Sequence, residues 1–416
     1  MITSHTIPSG TVQPTSTDGV LQPAASRIAS IDILRAITMV LMIFVNDLWS
    51  LQNIPLWLEH VSYEADGMGL ADIIFPGFLF IVGISIPFAI ANRRKKGDNL
   101  PRLLFHIASR TVALLMMGLF LVNGENINAQ ATGMPRVVWY TFSCVSFILI
   151  WNVYSPTVKP WVKRALQATG IGILLVLAFM YKGGEATNLE SFSTYWWGIL
   201  GLIGWSYLVS ALVTALAGNK HYVILGTWVL FCIVSMLANA GLMPKNEFLN
   251  IIPGAIRGGT LVALTLGGVL ISLLLRYMSK QNAQSKLIIA LLLISAGLIF
   301  LGLYTRTFWG ISKLRATPAW LFICSALTIV TFVAIYWLAD LRKKAHWFNF
   351  IKPAGTDTLL CYLMPYFAYA GVSLLGIHWP ELMLTGVVGL LKSFIFALLC
   401  VWITGLLSRK GIRLRL

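Results

Sequence analysis

Residues 31–49 read IDILRAITMVLMIFVNDLW, and residues 70–83 read LADIIFPGFLFIVG. With their flanks, both are long enough to cross the roughly 30 Å hydrocarbon core of a bilayer as helices of about 20 residues. The first ends in a polar pair, Asn46 and Asp47, and the second carries Asp72 in its first turn. The connection between them holds one histidine, His60, together with Glu59, Glu64 and Asp66. Ionisable groups at the end of a membrane helix are costly unless a partner or a function stabilises them. A histidine among carboxylates at a bilayer rim suits proton-transfer or acyl-transfer chemistry, because imidazole titrates near neutral pH.

Working outward, the same pattern repeats along the chain. Of its 416 residues, 57% are hydrophobic and only 11% are charged, against about 25% charged in a soluble domain. Apolar windows recur from residue 29 to residue 407. The expected fold class is therefore all-α, a polytopic membrane helical bundle with no sizeable soluble domain. About twelve transmembrane helices are expected, near 29–49, 70–91, 104–123, 135–154, 162–181, 196–217, 222–241, 257–277, 287–304, 319–339, 355–375 and 384–407. Residues 1–26, rich in Ser, Thr, Pro and Gly, read as a disordered cytoplasmic tail. They lack the basic and apolar segments of a cleaved signal peptide, so the first span is expected to act as its own anchor. Residues 27–408 then form the bundle, and 409–416 a basic cytoplasmic tail.

The net charge is +16, and its placement sets an orientation. Basic residues gather at alternate connections: Arg93, Arg94, Lys95, Lys96 and Arg102, then Lys159, Lys163 and Arg164, then Lys280 and Lys286. Arg342, Lys343, Lys344 and Lys352 continue the series, and Arg27 and the run Arg409, Lys410, Arg413 and Arg415 bracket it. The positive-inside rule puts these connections and both termini in the cytoplasm. Glu59, Glu64, Asp66, Glu125, Glu185, Glu190 and Glu247 fall on the opposite side, with His60. Arg306, Lys313 and Arg315 stand on that acidic side against the rule. They read either as a group binding an anion or sugar, or as helix-end side chains snorkelling to the headgroups. Charge divided among short loops is not the footprint of a nucleic-acid partner. Five cysteines, all in apolar windows and without a CxxC pair, suggest neither a disulfide framework nor a metal site.

Two stretches, RIASIDILRAITMVLMIFVND (27–47) and LEHVSYEADGMGLADIIFPGFLFIVGISI (58–86), resemble the start of the catalytic membrane domain of the heparan-α-glucosaminide N-acetyltransferase family. The likeness lies in the arginine-led first span, the Val-Asn at its end, the lone loop histidine and the ADxxFPxFxFxxG opening of the next span. WGISKLRATPAWLFICSALT (309–328) and NFIKPAGTDTLLCYLMPYF (349–367) resemble the bacterial branch of that family. The helices near 196–241 depart from it as an extra pair, and a short polar tail is expected where the lysosomal enzyme carries a luminal domain. The resemblance implies transmembrane acetylation, with acetyl-CoA taken from the cytosol and an amino sugar acetylated on the far side, in a bacterial inner membrane. It carries the family's active histidine onto His60, its asparagine onto Asn46 and its acidic residue onto Asp72.

The residues support that chemistry on their own terms. Acyl transfer from a thioester needs a base, an oxyanion donor and positioning. His60 is the candidate base or transient acetyl carrier, and Asp72 or Asp47 can orient its ring. Asn46 offers an amide for the oxyanion. Glu59, Lys313 and Arg315 are assigned to the acceptor sugar. Arg93, Arg94, Lys95 and Lys96 are candidates for the CoA phosphates, and Lys392, a third of the way into the last span, either lines a CoA channel or snorkels. Asp32 and Arg35 are spaced to pair on one helical face. The expected partners are acetyl-CoA, an amino sugar or glycan, the lipid bilayer and a second copy of the chain in a homodimer; no metal is expected. The alternatives are a proton-coupled secondary transporter and a sugar O-acyltransferase.

Overall fold

The computed structural model describes residues 28–244 and 246–416, so the expectation for residues 1–26 lies outside the described residues. The long helices are α1 (Ala29–Asp47), α2 (Leu70–Lys95), α3 (Leu100–Glu125), α4 (Arg136–Trp151), α5 (Pro160–Met180) and α6 (Ile199–Ala217). They continue as α7 (His221–Asn239), α8 (Thr260–Lys280), α9 (Gln284–Trp309), α10 (Pro318–Tyr336), α11 (Thr358–Leu374) and α12 (Gly386–Arg409). Ten of these are long and apolar enough to cross a membrane, and α4 and α11 are shorter apolar helices. Each expected window coincides with one helix, and the ends differ by a few residues. The protein is an all-α, multi-pass membrane protein. Among the described residues the strands are confined to a hairpin, Gly183–Glu185 with Asn188–Glu190.

A spanning segment must satisfy its backbone internally, which is why the apolar runs are helical throughout. Local signals set the ends. Asn99 accepts from the Arg102 N–H at 3.1 Å to start α3, with a proline in the first turn.

Burial sorts the helices into a core and a rim. In the most apolar window, 72% of α2 and 67% of α1 and α10 are buried, against 17% of α5 and α7. The core elements therefore carry whatever must be held rigidly. Helices α2 and α8 cross in close backbone contact. A Cβ on Gly268 would fall 1.9 Å from the Phe80 carbonyl oxygen, so glycine permits the backbone contact, as at many membrane helix crossings.

Helix α1 is fixed at both ends by distant parts of the chain. The π-helical turn Trp337–Leu341 that ends α10 carries Asp340. Its two carboxylate oxygens accept the Ala29 and Ser30 N–H groups at 2.9 Å each, an acid placed where the helix dipole favours it. Asp32 and Arg35 pair at 3.1 Å, as their spacing anticipates. Arg35 also donates to the Gly355 carbonyl at 3.0 Å and to Ser85 Oγ at 2.6 Å.

Candidate active site

Asp72, the third residue of α2, builds the site. Its side chain is only 2% exposed, so each oxygen needs a donor. Oδ2 accepts the Gly69 N–H at 3.1 Å and the Val61 N–H at 3.0 Å. Oδ1 holds His60 Nδ1 at 2.6 Å. The Asp72 backbone carbonyl accepts the Trp320 indole N–H at 3.0 Å, which ties this helix start to α10. One carboxylate thus closes the loop, caps its own helix and orients the imidazole. A carboxylate can only accept, so Nδ1 is the ring nitrogen that carries a proton toward it, and in the neutral ring Nε2 holds the lone pair. The His60 side chain is 49% exposed, leaving Nε2 within reach of a substrate.

The turn between α9 and α10 brings a cation to this pair. Lys313 Nζ lies 3.2 Å from His60 Nδ1, 3.5 Å from Nε2 and 3.9 Å from Asp72 Oδ1. Burial pushes the Lys313 ammonium below its ordinary value, and the Asp72 carboxylate opposes that shift. Asp66 of the His60 loop binds the same turn, its Oδ1 accepting the Ile311 N–H at 2.7 Å and its Oδ2 accepting Arg306 Nε at 2.9 Å. The Ile311 hydrogen bond holds the Asp66 carboxyl below its usual range; burial opposes this, and Arg306 adds to it.

A cavity of about 480 Å³ opens at His60 and Lys313. Asn46 lines it too, with Phe75, Trp197 and Trp320 supplying apolar and aromatic walls. A second cavity of about 350 Å³ lies toward the other end of the bundle, where Arg35, Arg93, His106, Arg110 and Arg415 line it. Met42 and Ile199 line both cavities.

The structure brings some expected residues together and separates others. His60, Asn46, Asp72 and Lys313 converge. Asp47 does not join them: it sits in a separate buried cluster, bonded by Tyr369 at 2.7 Å and Ser393 at 2.6 Å and paired with Lys392 at 3.1 Å. The reason is helical geometry, because successive residues point about 100° apart and only one of Asn46 and Asp47 can face the cavity. Lys392 is accordingly at the His60 end, committed to Asp47 and to Ser50 Oγ at 3.3 Å, away from the Arg93 cavity. Among Arg93, Arg94, Lys95 and Lys96, only Arg93 lines that cavity. Arg94 donates to the Ala215 carbonyl at the end of α6 at 2.9 Å, and Lys95 and Lys96 are exposed. Arg315 turns toward Gly310 and Asp66 rather than into the site, and Glu59 is not among the cavity-lining residues.

Sequence reading missed Arg110 and His106. A signal was present, since both lie within the apolar window of the third span, where an ionisable residue marks a functional site by default. Arg110 stacks over the Tyr207 ring at 4.8 Å, a cation–π contact that leaves part of its guanidinium free for a ligand.

Fold and site together define a polytopic helical membrane protein with a histidine–aspartate pair set in a cavity of the bundle. Residues 27–131, which supply α1, the His60 loop, α2 and α3, match the family model described as heparan-alpha-glucosaminide N-acetyltransferase, catalytic. The human protein named heparan-alpha-glucosaminide N-acetyltransferase is 34% identical over 117 residues, covering 26% of this chain and 16% of that relative. Its mouse counterpart is 32% identical over 104 residues, covering 24% of this chain and 14% of its own length. The chain thus matches less than a fifth of the length of these relatives. The shared stretch contains His60, Asp72 and Asn46; Lys313 lies outside the family match.

Proposed function

We propose that this protein is a membrane acetyltransferase that moves an acetyl group from acetyl-CoA, bound at the Arg93 end, to the amino group of a glucosamine-type sugar at the His60 end. The observation that carries this reading is the pair of cavities, one basic and one at His60, whose linings share Met42 and Ile199. Arg93 and Arg110 line that end and offer the charge-assisted donors that nucleotide phosphates take. To reach His60 from the Arg93 end, the thioester arm would pass the wall that the two cavities share at Met42 and Ile199. The match of residues 27–131 to an N-acetyltransferase family supports the same chemistry. The positive-inside rule supports a cytoplasmic Arg93 end and a cytoplasmic terminus after α12, and a bacterial inner membrane is the proposed location.

In the proposed step the sugar amine attacks the thioester carbonyl while His60 Nε2 takes its proton. Asp72 holds the ring and stabilises the imidazolium that forms. Asn46 and the Lys313 ammonium are the donors for the oxyanion. The tetrahedral intermediate collapses as the C–S bond breaks, and the imidazolium returns its proton to the departing thiolate. Direct transfer needs both substrates at once, whereas an acetyl-His60 intermediate gives ping-pong kinetics.

The test offers radiolabelled acetyl-CoA to the purified protein in detergent with glucosamine, other amino sugars and amine-free sugars, comparing wild type with His60→Ala. Label on an amino sugar with wild type alone supports the reading. Label on amine-free sugars instead turns it into an O-acyltransferase. Absence of transfer, with no thermal stabilisation by CoA, favours the proton-coupled carrier.

A further inference from the structure

The site contains a lysine that arrives from 253 residues away in the chain, and something must hold it there. The turn that carries it, Gly310–Thr317, is braced from within. Ala316 N–H donates to the Lys313 carbonyl at 3.0 Å, Thr317 N–H to the Ser312 carbonyl at 3.1 Å, and Ser312 N–H to Thr317 Oγ1 at 3.1 Å. Its link to α9 is weaker by construction. Gly310 sits at φ 65°, in the left-handed region that glycine adopts without strain, so it is a natural hinge. Helix α9 belongs to the rim, with only 22% of its most apolar window buried. The far end of the turn is already held, since Thr260 Oγ1 donates to the Ala316 carbonyl at 2.6 Å and Thr317 starts α10, so it is the Gly310 side that depends on a further support.

Asp66 supplies that support on both sides of the hinge. Arg306, which bonds its Oδ2, lies before Gly310, and Ile311, which bonds its Oδ1, lies just after it. The Gly67 N–H adds a bond to the Ile311 carbonyl at 3.0 Å. A Cβ on Gly310 would come within 3.3 Å of Asp66 Oδ1, so carboxylate and hinge are in contact. Lys313 stands two positions past Ile311. Its ammonium is half-buried against His60, while Asp66 itself is 45% exposed, where an ion pair adds little to global stability.

We infer that Asp66 is a positioning residue: by clamping the Gly310 hinge to the His60 loop, it holds the Lys313 ammonium against the imidazole and so sets the cation beside the reacting carbonyl. The kinetic consequence rests on the acetyltransferase reading; the positional claim does not.

The experiment measures Lys313 directly. The full-length protein in detergent is treated briefly with an amine-reactive acylating reagent, and modification of Lys313 is quantified by peptide mass spectrometry for wild type, Asp66→Ala and Asp66→Glu. Release of the clamp is expected to raise Lys313 labelling several-fold in Asp66→Ala, with Asp66→Glu in between and with the melting temperature nearly unchanged. In acetyl transfer, kcat for Asp66→Ala is expected to fall about 10-fold at unchanged KM for acetyl-CoA, the scale of a small misplacement of a catalytic group. In a Lys313→Met background, Asp66→Ala is expected to cost nothing further, because both changes act through one group. Unchanged labelling overturns the inference, as do losses that multiply in the double variant. If wild type transfers no acetyl group, the enzymatic reading fails, and labelling alone then decides whether Asp66 places Lys313.

Discussion

Asp72 and Asp47 lie at the same end of the bundle, at the junctions of α2 and α1 with the loop between them. Both are hidden, with side chains 2% and 5% exposed, and both face a cation and neutral donors. Their partners differ. Asp72 takes two donors from backbone N–H groups and spends its remaining oxygen on His60, whose ring is half open to a cavity. Asp47 is bound by side chains alone, Tyr369, Ser393 and Lys392, and Lys392 is only 14% exposed. A buried carboxylate is thus not by itself a mark of function. What separates the two is whether the group each one orients can still meet a ligand. Asp47 and Lys392 form a closed structural pair whose desolvation is compensated internally; Asp72 and His60 form a pair with one hand left free.

That contrast can be broken experimentally. The largest effect is expected from His60→Ala, a loss of transfer of about 10⁴-fold with folding intact, because it removes the base from a half-exposed position; single-turnover acetyl transfer with melting temperature as control checks it. Asp72→Asn should cost about 10³-fold, since an amide no longer fixes the Nδ1–H tautomer; the same assay applies, and near-wild-type transfer would remove Asp72 from the mechanism. Asp47→Asn should act on the other quantity. It strands the Lys392 ammonium and destabilises the fold by about 3 kcal/mol, with the specific activity of the folded fraction close to wild type. Adding Lys392→Met should restore much of that stability. Loss of turnover without loss of stability would erase the distinction between the two sites.

The smallest effect concerns pH. Asp66 lies in the loop, with its carboxyl held below the ordinary value of 3.8, first by the Ile311 N–H. A depressed acid stabilises the fold above its unfolded pKa and loses that contribution as pH falls through the folded value. Wild type should therefore show a small drop in melting temperature as pH falls below about 4, and Asp66→Asn should flatten it.

Much of this was legible in the sequence for physical reasons. Membrane helices announce themselves because lipid admits few other solutions, and all the expected windows became helices. His60, Asp72 and Asn46 were legible because they are close in the chain as well as in space. Asp47 was misjudged because sequence proximity says nothing about helical phase. Lys313 was visible as a charge on the wrong side of the topological rule, while Arg315 beside it carried the same signal and turned away to Asp66. The Arg35, His106 and Arg110 cavity stayed hidden, since its walls come from helices far apart in sequence and depend on which faces pack together.

The anchoring of α1 has a consequence for how the molecule is made. Among the long helices described above α1 is made before the other eleven, yet its start is tied to Asp340 and its end to Tyr369 and Ser393, up to 346 residues later. The span that presents Asn46 must therefore wait in the membrane with the Asp47 carboxylate short of its cation until α12, which carries Lys392 and Ser393, is inserted. The Asp47 cluster is then completed only when α12 is in place, and a chain interrupted before α12 would leave that carboxylate without the Lys392 cation.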